Sequence, residues 1–296
     1  MRDHGPEQNR PSRRAVLALP AAGLLRPGPA PAGAPLRVAC LDYGLAQTLI
    51  AIGHPPVAIA AADQWPRWVV EPPLPPGVAN LGTSREVNLE ILHQLRPDLI
   101  VATPFVERLR PLLARIAPVE SHPIQAAGSA PWSRAVAVTR ALGARLGADA
   151  GAEALVAATE EGLRACAPRV ARLRDRPVLV VAFQDARNVW VYGADSLYDD
   201  ALRRLGLVNG WSGRTNAWGF ASVGVEALAA APEARLVCLD PMPADALRLL
   251  AGGPIWRALG FSGAGRLLRL PAVLAFGTLP SVTRFARLLA EAAGDA

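Results

Sequence analysis

From Trp132 to Arg174 the sequence runs WSRAVAVTRALGARLGADAGAEALVAATEEGLRACAPRVARLR, a helical periodicity almost without interruption. At about 1.5 Å of rise per residue, some 40 residues in one helix would extend roughly 60 Å, longer than a single α/β lobe. Gly147 permits a gentle break. On both sides of this segment, short apolar runs alternate with helical patterns. Upstream, PLRVACLD reads as a strand, YGLAQTLIAIG as a helix ended by Gly53, PVAIAAA as a second strand, VNLEILHQLRP as a helix stopped at Pro97, and DLIVATP as a strand. Downstream, PVLVVAFQ and NVWVYG read as strands and SLYDDALRRLG as a helix. Such alternation calls for α/β lobes with a mainly parallel sheet. The expected organisation is an N-terminal lobe over residues 33–130, a helix over 131–174 and a C-terminal lobe over 175–296.

A weak internal repeat supports two lobes. VNLEILHQLRPDLIVAT in the first half resembles VGVEALAAAPEARLVCLD in the second, and in each a glutamate (Glu90, Glu226) opens a helix ahead of a strand valine (Val101, Val237). Any strand–helix unit shares some of this pattern, and a carboxylate at a helix start is favoured by the helix dipole.

The formal charge is +6 and all 31 basic residues are arginine. They are scattered singly, without an aromatic-interleaved basic stripe, so nucleic acid is not an expected partner. The N-terminus carries the most specific local signal, RPSRRAVLALPAAGLLRPGPAPAGA. Arg13 and Arg14 follow Ser12, and the apolar run Ala15 to Leu25 is far shorter than the roughly 20 residues a membrane span needs. Residues 1–32 therefore read as a twin-arginine export signal, and the mature chain as periplasmic. Cys40, Cys166 and Cys238 cannot all pair and read as small buried hydrophobes. No C-x-x-C, H-x-x-x-H, G-x-S-x-G or phosphate-loop motif is present, so an exported enzyme has no visible nucleophile–base pair or cofactor site, and no metal site is expected.

One stretch, WPRWVVEPPLPPGVANLGTSREVN from Trp65 to Asn88, places two tryptophans in a proline-rich loop. Its core, Trp68 to Pro75, together with LARIAP at Leu113 to Pro118, TNAWG at Thr215 to Gly219 and PAV at Pro271 to Val273, resembles the periplasmic ferric hydroxamate siderophore-binding proteins of the FhuD type. The resemblance covers nearly the whole chain. It implies two α/β lobes joined by a single long helix, with the ligand in a shallow cleft between them. It also implies delivery of a ferric siderophore to an inner-membrane ABC permease dimer, with no cofactor and the iron held only inside the ligand. The resemblance places Trp68 and Trp218 in the cleft, while Trp65 reads as surface packing. A flat apolar surface suits the organic shell of a chelate, and a cationic donor suits its iron-bound oxygens. Prolines 66, 72, 73, 75 and 76 would preorganise Trp68.

Several family positions differ here. The family's cleft arginine aligns with Ser84, and the adjacent Arg85 is the expected replacement donor, although neighbours on a strand point to opposite faces. The cleft tyrosine aligns with Val106, next to Phe105, and two further aromatic positions align with Leu274 and Phe276. The expected ligand-binding set is Trp68, Arg85, Phe105, Trp218 and Phe276. Glu90 and Glu226 fall where related importer-binding proteins present one carboxylate per lobe to permease arginines. The alternative cargoes are another iron chelate, haem or a corrinoid, for which His93 and His122 are the candidate axial ligands.

Overall fold

The unbroken apolar runs become central strands. In the first sheet β1 (Val38–Cys40), β2 (Ala58–Ile59), β3 (Ala79–Asn80), β4 (Leu99–Ala102) and β5 (Val119–Ser121) pair in parallel in the order β3-β2-β1-β4-β5. β1 and β4 are buried at every position, as a parallel strand covered on both faces requires. The second sheet contains β6 (Val178–Phe183), β7 (Asn188–Tyr192), β8 (Phe220–Gly224), β9 (Arg235–Leu239) and β10 (Leu267–Leu270), in the order β10-β9-β6-β7-β8. Here β6, β9 and β10 are parallel, and β7 and β8 extend the sheet antiparallel. This computed structural model describes residues 34–125, 131–261 and 266–295. The expected export signal, residues 1–32, lies outside the described residues.

The repeated units take equivalent places. Residues Leu89–Leu95 form a helix leading to β4, and Val225–Ala230 form a 3-10 helix leading to β9. The three cysteines are free and buried, as the sequence suggests, and burial pushes the Cys40 and Cys238 thiols up.

The helical segment corrects the expected single helix over 131–174. It is two helices, Pro131–Leu146 and Asp149–Cys166, folded back on one another. Arg140 pairs with Glu153 at 2.6 Å, and a Cβ built on Gly143 would lie 2.6 Å from that of Ala152. The physical cause is Gly147, whose φ of 66° is left-handed, with the Ala148 N–H donating to the Gly143 carbonyl at 2.8 Å. Both helices reach the two lobes: the first places Trp132 and Ala135 in the core of the second lobe and Val138 and Leu142 in that of the first, and the second helix, 18 residues and about 27 Å long, runs back between them. Ala152 packs in the core of the first lobe, Leu163 and Cys166 in that of the second, and Leu155 against both.

A further helix, Leu279–Asp295, also bridges the lobes. Its apolar stripe, Leu279, Val282, Ala286, Leu289 and Ala293, is buried in the core of the second lobe. A polar row spaced three residues apart meets the first lobe instead. Thr278, just before the helix, shares a 2.7 Å hydroxyl hydrogen bond with Thr48, and Ser281 donates to the Gln47 Oε1 at 2.8 Å. Arg284 pairs with Glu71, and Arg287 reaches both oxygens of the same carboxylate at 2.9 Å. Burial pushes the Glu71 carboxyl up, but hydrogen bonds from Arg287 and Arg284 outweigh it and hold the group below its ordinary value. The lobes approach closely here because Gly44 has no side chain: a Cβ would sit 2.8 Å from the Phe276 carbonyl oxygen.

Glu71→Ala would leave the buried Arg284 with the Ala272 carbonyl, 2.7 Å away, as its remaining partner. The expected loss in urea unfolding is about 2 kcal/mol, below the roughly 3–5 of a fully buried pair because Glu71 is part-exposed. The pair's contribution is present at neutral pH and fades as the pH falls through the depressed carboxyl value. A loss under about 0.5 kcal/mol, the range of an ordinary surface substitution, would show that this pairing does not secure the lobes.

Candidate functional site

Parallel strands of both lobes end at one cleft, the usual place for a ligand in open α/β sheets. The first lobe contributes Asp42 and Tyr43 after β1, Ala61 after β2, Ser84 after β3, and Thr103 and Phe105 after β4. The second contributes Trp190 from β7, Trp218, Phe220 from β8, and Leu274 and Phe276 after β10. Together they line a chamber of about 390 Å³. Tyr43, Trp190, Leu274 and Phe276 also wall a second recess of about 570 Å³, which holds Arg67, Trp68 and Asp240.

The aromatic wall is continuous. Trp190 stacks on Phe220 at 4.4 Å between ring centroids, and Trp218 meets Phe276 edge-on at 5.1 Å. Phe105 of the first lobe meets Trp218 of the second edge-on at 6.2 Å, so the two lobes touch ring to ring. Phe105 is 48% and Trp218 37% exposed, a large apolar surface left open to solvent.

Local chemistry fixes these rings. In TNAWG the Asn216 side-chain oxygen accepts from the Trp218 N–H at 2.9 Å, closing the turn that presents the indole. Gly219 has φ of 75°, and any Cβ there would lie 2.5 Å from the Ser196 nitrogen. Along β7, Val189 and Val191 enter the core while Trp190 takes the opposite, partly exposed face. Tyr43 donates to the Ala61 carbonyl at 2.7 Å and is braced edge-on by Trp65 at 5.7 Å.

The expected site residues divide. Phe105, Trp218 and Phe276 share the chamber, and Trp68, 41% exposed, sits in the second recess with the Arg67 guanidinium 4.9 Å from its ring centre. Val106 is 5% exposed and belongs to the core, so the Phe105 ring takes the cleft position. Arg85 is a correction: it is exposed and lines neither recess, whereas Ser84 lines the chamber. Residues 84–86 form a bend outside any strand, with the Glu86 N–H donating to Thr83 Oγ1 at 3.0 Å, so no register shift brings Arg85 in. Trp65 is a second correction. It is 1% exposed, and its indole donates to the Pro72 carbonyl at 2.9 Å, tying the proline-rich loop down from inside.

Glu90 and Glu226 are exposed in the first turns of their helices, away from the cleft lining. His93 is exposed on its helix and His122 lies 3.7 Å from Glu120; neither lines the chamber or the second recess. Sequence reasoning missed Asp42, Tyr43, Trp190 and Phe220. Trp190 was legible as the odd member of an alternating Val-Trp-Val strand.

Asp42 caps the first helix, Tyr43–Ala51, its carboxylate accepting from the Leu45 N–H at 3.0 Å. Burial pushes its carboxyl up to about 6, against the opposing pull of the Leu45 and Gly44 N–H groups.

A model described as periplasmic binding protein matches residues 38–271. The iron(3+)-hydroxamate-binding protein FhuD of Escherichia coli (strain K12) is 32% identical over 260 residues, which is 88% of each chain. Among solved structures, the Fe3+–Desferal-bound siderophore-binding protein FhuD of Vibrio cholerae superposes with a TM-score of 0.83 at 24% identity, over 88% of this chain and 98% of that one. A periplasmic heme-binding protein of Pseudomonas aeruginosa superposes with a TM-score of 0.67 at 25% identity, over 88% and 92% respectively.

Because the Asp42 carboxyl binds its proton more tightly folded than unfolded, its contribution to stability should decline as the pH rises from about 4 to about 6. Asp42→Asn keeps a good helix cap and removes the titration. The difference in unfolding free energy between the two proteins, followed across that window, should slope accordingly; a constant difference would place the carboxyl at its ordinary value.

Proposed function

This chain belongs to the periplasmic binding protein family, and we propose that it captures a ferric hydroxamate siderophore in the aromatic cleft and delivers it to an inner-membrane ABC permease. The observation that carries this reading is the chamber of Tyr43, Phe105, Trp190, Trp218, Phe220 and Phe276 at the strand ends of both lobes. A hydroxamate chelate arrives with its iron already wrapped by its own oxygens, so the iron is cargo and the protein supplies surface. Flat rings with large apolar area suit the organic shell, and Tyr43, Ser84 and Thr103 add hydroxyl groups at the wall. This is a binding role, and it calls for no cofactor.

The bridging helix and the polar row of the C-terminal helix favour a cleft that is largely preformed, which lowers the ordering cost of capture. Glu90 and Glu226, one exposed carboxylate from each lobe in equivalent units, are the groups we assign to docking on permease arginines. The paired arginines Arg13 and Arg14 in the leader support export to the periplasm by the twin-arginine route.

Titrating the protein from about Gly33 with ferrichrome or the ferric complex of Desferal should quench tryptophan fluorescence saturably. Trp218→Ala should weaken binding about tenfold or more, the loss typical of a buried aromatic anchor. A folded protein that responds to neither chelate would remove the hydroxamate reading. Reversing Glu90 and Glu226 together to arginine should leave the titration unchanged and abolish uptake in cells. Lost binding would instead place these glutamates in the cleft or the fold.

A further inference from the structure

The chamber has one charged side chain in its lining, Asp42, among rings, small apolar residues and hydroxyls. Its hydrogen bonds come from backbone N–H groups of the first helix, and among the described residues no arginine forms an ion pair with it. Ser84, also in the lining, brings no charge to the chamber. The arginine nearest in kind, Arg67, lies in the second recess against Trp68, and Asp240 there is already paired with Arg269 at 2.9 Å. A carboxylate on an apolar wall with no counter-ion is destabilised by lost hydration, and a cation entering the chamber would relieve it.

Resting on the hydroxamate reading of this chamber, we infer that it favours ferric hydroxamates carrying a pendant cationic group over uncharged ones, with Asp42 as the residue that sets the preference. A tris-hydroxamate of Fe3+ is itself uncharged, so a protonated amine on its backbone gives the whole chelate a positive charge. That amine finds in Asp42 an acceptor on a largely apolar wall, where a charge–charge attraction is screened less than at an open surface. Trp190, Trp218 and Phe276 line the same chamber, and a π face among them would also attract a cation. Asp42 acts on ligand choice and not on the iron.

The test compares two chelates that differ in one group: ferric Desferal, with its free amine protonated, and its N-acetylated derivative, which is uncharged. Both are titrated by tryptophan quenching at low salt. The wild-type protein should bind the amine form about tenfold more tightly, the size expected for one partly screened charge pair. Asp42→Asn should bring the two affinities together by weakening only the amine form, and Ser84→Arg should reverse the order. Circular dichroism confirms that each variant folds. If either variant does not, the wild-type ratio itself is measured from about 50 mM to 500 mM salt, where an ionic preference shrinks and a steric one does not. Equal wild-type affinities, or a ratio indifferent to both variants and to salt, overturn the role of Asp42 while saturable binding keeps the hydroxamate reading. Binding of neither chelate overturns both.

Discussion

The two lobes are held to one another because a row of polar side chains on the C-terminal helix grips the first lobe. Thr278, Ser281, Arg284 and Arg287 recur every three residues, and each meets a partner on Gln47, Thr48 or Glu71. The opposite stripe of the same helix is sunk in the core of the second lobe. One helix thus uses apolar burial to belong to one lobe and hydrogen bonds to hold the other. Removing water from these groups is unfavourable unless every one is paired, and in this row they are. The grip also fixes the loop that bears Glu71, since Gln47 donates to the Glu71 carbonyl at 2.7 Å and Trp65 to that of Pro72.

The binding surface inherits this rigidity. Trp65, buried behind the loop, braces Tyr43, and Tyr43 forms part of the wall between the two recesses. Gly44, next in the chain, lets the backbone of Phe276 come close enough for its ring to join Trp190, Trp218 and Phe220. Rings held in this way would lose little freedom when a ligand arrives, which lowers the ordering cost of binding.

The lobes were legible in the sequence because β1, β4 and β6 are short continuous apolar runs, and such runs admit few other readings. The fold-back of the central helices was not. Gly147 is visible as a weak point, but that its left-handed turn closes into a full reversal, with Gly143 packed on Ala152, depends on tertiary contact that local pattern does not give. In the site, Trp218 and Phe276 could be placed from short motifs. Phe220 could not, because its strand reads as core and the face it occupies depends on the partner sheet, whereas Trp190 stood out only as the odd member of its Val-Trp-Val alternation. Arg85 misled for a related reason: its loop is bent by Thr83 and Glu86, and residue order in a bend does not give direction. Trp65 and Trp68 look alike in sequence, yet the bond to the Pro72 carbonyl puts one indole in the core and leaves the other in the cleft.

Two helices, Asp149–Cys166 and Leu279–Asp295, cross from lobe to lobe and pack along each other. A single rod lets its ends twist, as a hinge pin does, whereas two joined beams resist torsion as well as bending. The separation of Glu90 and Glu226, one exposed carboxylate on each lobe, is then held by this frame. If these carboxylates dock the permease as proposed, a partner gauging a fixed spacing alone would grip loaded and unloaded carriers equally. On the role proposed above, the sign of cargo would be read where Phe105 and Trp218 meet, from the face of the chelate left showing between them.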